Sequence, residues 1–372
     1  MAETAEYEQA PRAARSSCNI PPAQPLVGPF AWRGQELAQR ADWIRRLTAS
    51  ETGEIDAALR QVEARAVPLL EITREAFPLP TLSATLSECS RELEEGRGFV
   101  LLRGLPAERY STEELGKIFW GIGTHLGTAV SQSKKNGEFL GEVRDVGVKL
   151  GEPTSRGYRS REHLRFHTDR CDVVGLLCVR TAKSGGASRI VSSVAIHNEI
   201  LKRRPDLLAQ LYQDYYHSRQ GEEAPGEAPY YINPIFGICG GRFTSQYSRS
   251  YIESAQRFAE VPCITKTQDE ALDLLAELAE EFCFHMELAP GDIQLLNNHI
   301  TYHSRTSYED HPEPERQRLL LRLWLSVPGS RPLPAGYETL WGRVEAGAVR
   351  GGVTSHTGYR NILEYREALV RR

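Results

Sequence analysis

Apolar residues recur along the chain in two periods, and these divide it into helices and strands. Ile55, Leu59, Val62 and Ala66 fall at helical spacing and predict a helix over 52–66 with one buried face. Leu82, Leu86, Cys89 and Leu93 form the stripe of a second helix, which ends at Gly96 and Gly98. Ser111-x-x-Glu114 is a capping-box start for a third, running through Leu126 to a stop at Gly127. Helical stretches occupy about 194–216, with Pro205 opening the second of them. Thr267-x-x-Glu270 caps a strongly amphipathic helix carrying Leu272, Leu275, Leu278 and Phe282.

Between these lie the strand signals. Phe99 to Leu102 reads as a buried strand, and Val173 to Val179 as a central one. Gly185-Gly186 turns the chain into a further strand over Ser188 to Ser192. Gly291-Asp292 introduces Ile293 to Asn297, and Leu319 to Val327 is the last clear strand. Two polar stretches lack periodicity: 130–162, expected to be a lid, and 218–232, expected to be a loop. Residues 1–30, with Pro21-Pro22 and Pro25, predict an irregular arm. No repeat, composition break or linker divides the rest, so 31–372 is expected to be a single domain. Strands dominate its middle and late parts, with helices in front and inserted between. That order suits an α+β domain built round a β-sandwich or jelly roll.

Charge and cysteine content narrow the class without choosing it. The chain has 372 residues and a net charge of -4, with acidic and basic residues well mixed. No basic face is clustered, which argues against nucleic acid and against a membrane surface as partners. No apolar stretch is long enough for a membrane span, and the first residues carry no apolar leader. The seven cysteines are scattered, without a C-x-x-C pair, and read as reduced thiols of a cytoplasmic protein.

Phe166-His167-Thr168-Asp169 adds chemistry. Side chains alternate along an extended segment, so His167 and Asp169 project to the same side and can hold two corners of one metal ion. A second histidine would complete the two-His-one-carboxylate set that binds non-haem Fe(II) and leaves positions open for oxygen chemistry. His-x-Asp is common by chance, and His299 and His303 compete for the third place. Arg316, Arg318 and Arg322 punctuate an apolar run, where buried arginines need anionic partners. No G-x-S-x-G elbow is present, so a serine hydrolase is not indicated.

Taken in order, Phe166-His167-Thr168-Asp169, Gly185-Gly186-Ala187-Ser188, Gly291-Asp292 to His303-Ser304-Arg305, and Arg316 to Arg322 resemble one family. It is the taurine dioxygenase and 2,4-dichlorophenoxyacetate dioxygenase family of Fe(II)- and 2-oxoglutarate-dependent oxygenases, and the resemblance covers roughly 95–330. It implies a double-stranded β-helix (jelly-roll) core with flanking and inserted helices. His167, Asp169 and His303 match the family's iron ligands, whereas His299 falls at a position that varies there. Arg318 matches the arginine that clamps the distal carboxylate of 2-oxoglutarate, a task suited to a planar guanidinium fork, with Arg316 as the fallback. Ser188 stands where the family has a threonine on the same carboxylate. Arg322 matches a position near the substrate, and His163 one on the substrate side. Separately, Tyr230, Tyr231, Tyr247 and Arg249 lie in segments within reach of the mouth.

The implied activity uses Fe(II), 2-oxoglutarate and O2 to hydroxylate an unactivated C–H bond, releasing succinate and CO2. A small anionic or amino-acid-like metabolite is the expected substrate, and a homo-oligomer is compatible with the sequence. The carboxylate at Asp169 argues against halogenation, because related halogenases vacate that position for chloride. Desaturation or cyclisation by the same oxidising chemistry is the alternative outcome, and a non-catalytic cupin-like metal protein is the alternative class.

Overall fold

The computed structural model describes residues 20–135, 137–149 and 157–370. The apolar runs pair as the strands of two main sheets. In the larger, the order is Ile44–Arg46, Phe99–Arg103, Ile293–Asn297, Val173–Arg180 and Leu319–Ser326, with Thr128–Ala129 and Leu140–Val143 both pairing on the last. Only the first pair is parallel. The smaller sheet is antiparallel, in the order Phe284–Met286, Ser188–Ser192, Thr301–Arg305 and Leu164–His167. Strands distant in sequence thus become neighbours.

Strand alternation assigns each face. In Phe99–Arg103, Val100 and Leu102 join a core with Ile55, Leu86, Phe119, Leu295 and Leu321, which seats the helices Ala49–Ala64, Leu82–Glu94 and Thr112–Leu126 on the outer face of the large sheet. Phe99 and Leu101 point the other way, to Val174, Leu296 and Trp324 of the same sheet and Ile190, Phe284 and Met286 of the small one. The two sheets therefore pack face to face. On the far side, Phe166, Val191 and Tyr302 pack against Ser193–Arg203, Pro205–Leu211 and Lys266–Phe282. Each large apolar side chain so buried contributes roughly 1.5–3 kcal/mol. The result is an α+β arrangement with helices outside and two sheets within.

Several expected elements form with shifted limits. The third helix has both reciprocal bonds of its Ser111/Glu114 box. The amphipathic helix starts two residues earlier than expected, because Thr265 and Gln268 make the same reciprocal box, and a glutamine serves there as well as a glutamate. The expected loop over 218–232 ends in the strand Tyr230–Pro234, which pairs with Asp214–Ser218. The 130–162 stretch is not wholly irregular: Leu140–Val143 adds a strand to the large sheet, while 136 and 150–156 lie outside the described residues. At the expected turn, Gly185 has φ +73°, and a Cβ there would meet the Ser307 carbonyl oxygen at 2.4 Å. Of the expected arm, 1–19 lie outside the described residues. Residues 20–30 are irregular and end docked on a helix, with Leu26 and Asn198 exchanging two hydrogen bonds of 2.8 Å.

Candidate active site

Between the inner faces of the two sheets lies a cavity of about 600 Å³. Alternation decides what enters it. Phe166 and Tyr302 face the outer helices, so their neighbours His167 and His303 face inward. Register then sets the two histidines directly opposite each other on adjacent strands, with ring centroids 4.3 Å apart. Asp169 lies in the turn after its strand, with its carboxylate 3.9 Å from His167 Nε2 and 3.6 Å from His303 Nε2. The ligand atoms of His167, Asp169 and His303 all lie within 4.8 Å of one another, a spacing that one metal ion can bridge.

The surrounding bonds suit that use. His167 Nδ1 lies 3.0 Å from the Arg165 carbonyl, which fixes its N–H there and leaves Nε2 with the lone pair. Burial, reinforced by His303, lowers the His167 pKa to about 4, so the ring is neutral at pH 7. Burial opposes ionisation of Asp169, but the Arg322 guanidinium and His303 outweigh it and hold the carboxyl well below the usual range. Trp324 Nε1 donates to Asp169 Oδ2 at 2.9 Å, and Arg322 Nη1 lies 3.8 Å from the same oxygen. The Asn298 side-chain carbonyl accepts from the Asp169 backbone N–H at 3.2 Å.

Arg318 is buried in the cavity wall with its guanidinium over the Tyr308 ring, and its Nη1 has no hydrogen-bond partner among the described residues. A buried cationic donor without a partner is costly unless an anion meets it. Ser188, also in the wall, is hydrogen-bonded to Gln294 at 3.0 Å. Arg305 donates to the Ser160 carbonyl at 2.7 Å and to that of Glu162. Burial, with Arg318 nearby, lowers its pKa to about 10.

Other expected residues fall elsewhere. Arg316 is exposed in a short 3-10 turn and faces Glu313, which removes the fallback clamp. His299 is buried away from the cavity, with Nε2 on Asp172 at 2.8 Å and Nδ1 on the Thr244 hydroxyl at 2.9 Å, so neither nitrogen is open to a metal. Tyr231 is no part of the mouth: its ring stacks on His217 at 4.9 Å and packs with Tyr337 and Trp341. Tyr230, Tyr247 and Arg249 also lie outside the lining, whereas His163 lines the rim. Trp324 was not among the expected site residues, although it stands two positions after Arg322 and so on the same strand face. Gln132, whose Oε1 accepts from Arg322 Nε at 2.7 Å, carried no signal at all.

Residues 64–324 match the taurine catabolism dioxygenase TauD, TfdA family, and the chain belongs to it. It is thus an Fe(II)- and 2-oxoglutarate-dependent oxygenase, with O2 as the second cosubstrate. FR-33289 synthase from Streptomyces rubellomurinus (strain ATCC 31215) is 34% identical over 86% of this chain and 96% of that protein. The taurine hydroxylase-like protein SAT17 from Stachybotrys chartarum (strain CBS 109288 / IBT 7711) is 29% identical over 79% and 78%. Among solved structures, asparagine oxygenase in complex with Fe(II), 2S,3S-3-hydroxyasparagine and succinate superposes with a TM-score of 0.60 at 17% identity, over 76% of this chain and 93% of that one. The non-heme iron oxygenase OrfP, in complex with Fe, succinate and (3S)-hydroxy-L-Arg, gives 0.58 at 12%, over 76% and 94%. Among the described residues, no helix is long and apolar enough to cross a membrane.

Proposed function

We propose that the chain hydroxylates an unactivated C–H bond of a small anionic or amino-acid-like metabolite in the cavity between its sheets, which we read as the two halves of a jelly roll formed by residues 31–372. Fe(II) would be held by His167, His303 and the Asp169 carboxylate. The neutral His167 imidazole and the ionised Asp169 carboxylate are donors that this metal takes. Bound there with 2-oxoglutarate and O2, the metal would supply the oxidising power of a reaction that yields succinate and CO2.

The chain's own residues supply position. Arg318 takes the distal carboxylate of 2-oxoglutarate, and the observation that carries this is its buried Nη1 in the cavity wall, which has no hydrogen-bond partner among the described residues. Ser188 lies in the same wall, and its hydroxyl, which bonds the Gln294 side chain in the structure, is the second group we assign to that carboxylate. Trp324 and Arg322 hold Asp169 Oδ2, so the carboxylate cannot swing from the histidines. Arg322, stacked over Tyr158 and fixed by Gln132, keeps a positive charge beside the substrate space.

The charge of the wall supports an anionic substrate. Arg165, Arg170, Arg257, Arg305, Arg318 and Arg322 line the cavity against Asp169, Glu222 and Glu253. Opposite charge in a low-dielectric cleft concentrates such ligands. Cys89, Cys171 and Cys178 are buried free thiols, which fits a reducing, cytoplasmic setting.

The test is succinate formation with Fe(II), ascorbate and 2-oxoglutarate across a panel of anionic and amino-acid-like metabolites. A product one oxygen heavier than its substrate is expected. Loss of two hydrogens would replace hydroxylation by desaturation, and the absence of any iron-dependent 2-oxoglutarate binding would overturn the site.

A further inference from the structure

Beyond the family match, which ends at residue 324, the chain turns back onto the loop that carries Asp169. Asp172, three residues after that ligand, has a carboxylate that is 1% exposed. Its Oδ1 accepts from His299 Nε2 at 2.8 Å and from Arg350 Nε at 2.9 Å, and Arg350 Nη2 also lies 2.9 Å from it. Its Oδ2 accepts from the Ser326 hydroxyl at 3.2 Å and the Val327 backbone N–H at 3.1 Å. Arg350 is itself wholly buried and donates onward to the Arg331 carbonyl at 2.7 Å. A buried charge this fully met fixes the direction of both partners.

The backbone is joined at the same place. Gly352 N–H donates to the Arg170 carbonyl at 2.7 Å. Gly351 has φ +82°, and a Cβ on it would lie 2.5 Å from that same carbonyl oxygen, so only glycine permits the approach. Asn298 completes the clasp from the other side, donating to the Cys171 carbonyl at 3.1 Å while its Oδ1 accepts from Asp169 N–H. Every residue from Asp169 to Asp172 is thereby tied, and two of the four ties come from Arg350–Gly352.

We propose that the segment Arg350–Gly352 is a brace that sets the position of the Asp169 carboxylate for the metal, with Arg350 and Gly351 as positioning residues. This rests on His167, Asp169 and His303 being the metal site. The brace acts through the four-residue turn and touches neither metal nor substrate. Its loss leaves the ligands present but loosely aimed, a fault that weakens metal binding before it alters the fold. Removing a group that orients a ligand costs roughly 10–100-fold in metal affinity in comparable sites.

Mn(II) titration of the full-length protein, without 2-oxoglutarate or substrate, followed by calorimetry and by the electron paramagnetic resonance of the free ion, measures this apart from turnover. Gly351→Ala and Arg350→Lys are expected to weaken Mn(II) binding by roughly 10–100-fold. Leu340→Ala removes core packing in the same C-terminal region without touching the turn, and is expected to lower the melting temperature while leaving the Mn(II) constant unchanged. Wild-type affinity in both Gly351→Ala and Arg350→Lys, with only the melting temperature lowered, would overturn the brace. So would an equal loss of affinity in Leu340→Ala. Should Gly351→Ala not fold, Arg350→Lys alone decides. Asp169→Ala serves as the control on the site: if it binds Mn(II) as the wild type does, the metal-site reading fails first and the brace with it.

Discussion

Trp324 Nε1 donates to Asp169 Oδ2 at 2.9 Å, so a tryptophan of the large sheet holds the carboxylate that faces two histidines of the small one. The bond spans the gap between the sheets at the floor of the cavity. A hydrogen bond to a charged group is worth about 1.5–3 kcal/mol. Trp324→Phe keeps most of the ring and deletes the donor. It is expected to lower Fe(II) affinity by roughly tenfold or more, on that energy, with little change in 2-oxoglutarate affinity at saturating iron. Anaerobic Fe(II) titration checks this, and an unchanged iron constant would mean that Arg322 alone suffices to hold Oδ2.

Two histidines four residues apart contend for the third ligand position, and their surroundings differ. Among the described residues His303 Nδ1 has no hydrogen-bond partner and its Nε2 faces Asp169, whereas His299 has both nitrogens engaged. His303→Ala, like His167→Ala, is expected to abolish iron-dependent succinate release. His299→Gln is expected to retain turnover at a lowered melting temperature, since it disturbs the buried Asp172 cluster. Loss of activity in the folded His299 variant with activity kept in His303→Ala would reverse the assignment.

Arg318 and Arg316 are separated in the same way. Arg318 is buried with a donor that no described residue meets; Arg316 is exposed and faces Glu313. Loss of a bidentate charge-assisted contact is worth several kcal/mol. Arg318→Leu is therefore expected to raise the apparent 2-oxoglutarate constant by roughly a hundredfold or more, and Arg316→Leu to leave it unchanged. Initial rates of succinate release against 2-oxoglutarate concentration distinguish the two, and a normal constant in Arg318→Leu would move the clamp to Arg305 or Arg322.

How much of this was legible follows from what each residue's signal depends on. His167 and Asp169 could be paired because metal chemistry restricts residue types and their spacing is local, whereas in the sequence only the resemblance to the family separates His303 from His299. Strand parity put Arg322 on the same face as Arg318, the resemblance put that face beside the substrate, and parity applied two residues further would also have placed Trp324. Gln132 and Tyr158 reach Arg322 from a segment without periodicity, so nothing local marked them. Tyr231 misled because proximity in sequence to a polar loop says nothing of which face of a hairpin a side chain takes. Thr265 was missed for Thr267 because two boxes of equal spacing overlap, and only the folded chain chooses between them. The tie from Arg350 to Asp172 spans most of the second half of the chain, and no pattern links such distant charges before the fold does.

Arg322 joins the proposed iron site to the rest of the cavity. Its Nε is taken by Gln132, its Nη1 lies near Asp169, and its plane covers Tyr158 and Trp324. Gln132→Leu removes the acceptor while leaving the charge, which frees the guanidinium to turn. With an anionic substrate in hand, it is expected to raise KM for that substrate about tenfold, the worth of one charge-assisted hydrogen bond, while leaving the 2-oxoglutarate constant unchanged. Steady-state kinetics with each cosubstrate varied in turn checks this. Equal rises in both constants would place Gln132 on the 2-oxoglutarate side instead.

Stability should fall in mild acid for a reason unconnected with the metal. His197 and His217 are fully buried, and burial lowers each to about 4 from an ordinary 6.5. The unfolded chain binds a proton at these rings near pH 6.5 and the folded one resists it until about pH 4. Between those values the unfolded state holds more protons, so stability is full above about pH 6.5 and is lost as pH falls toward 4. Each ring accounts for about 2 kcal/mol at pH 5 and about 3 kcal/mol by pH 4. His197 also bonds the Tyr212 hydroxyl at 3.0 Å, an acceptance or donation that a glutamine can reproduce. Urea unfolding at pH 7.5 and pH 5.0 is expected to show a drop in the wild type and a smaller one in His197→Gln, by about 2 kcal/mol. An identical drop in both would mean that His197 is protonated in the folded protein as readily as in the unfolded one.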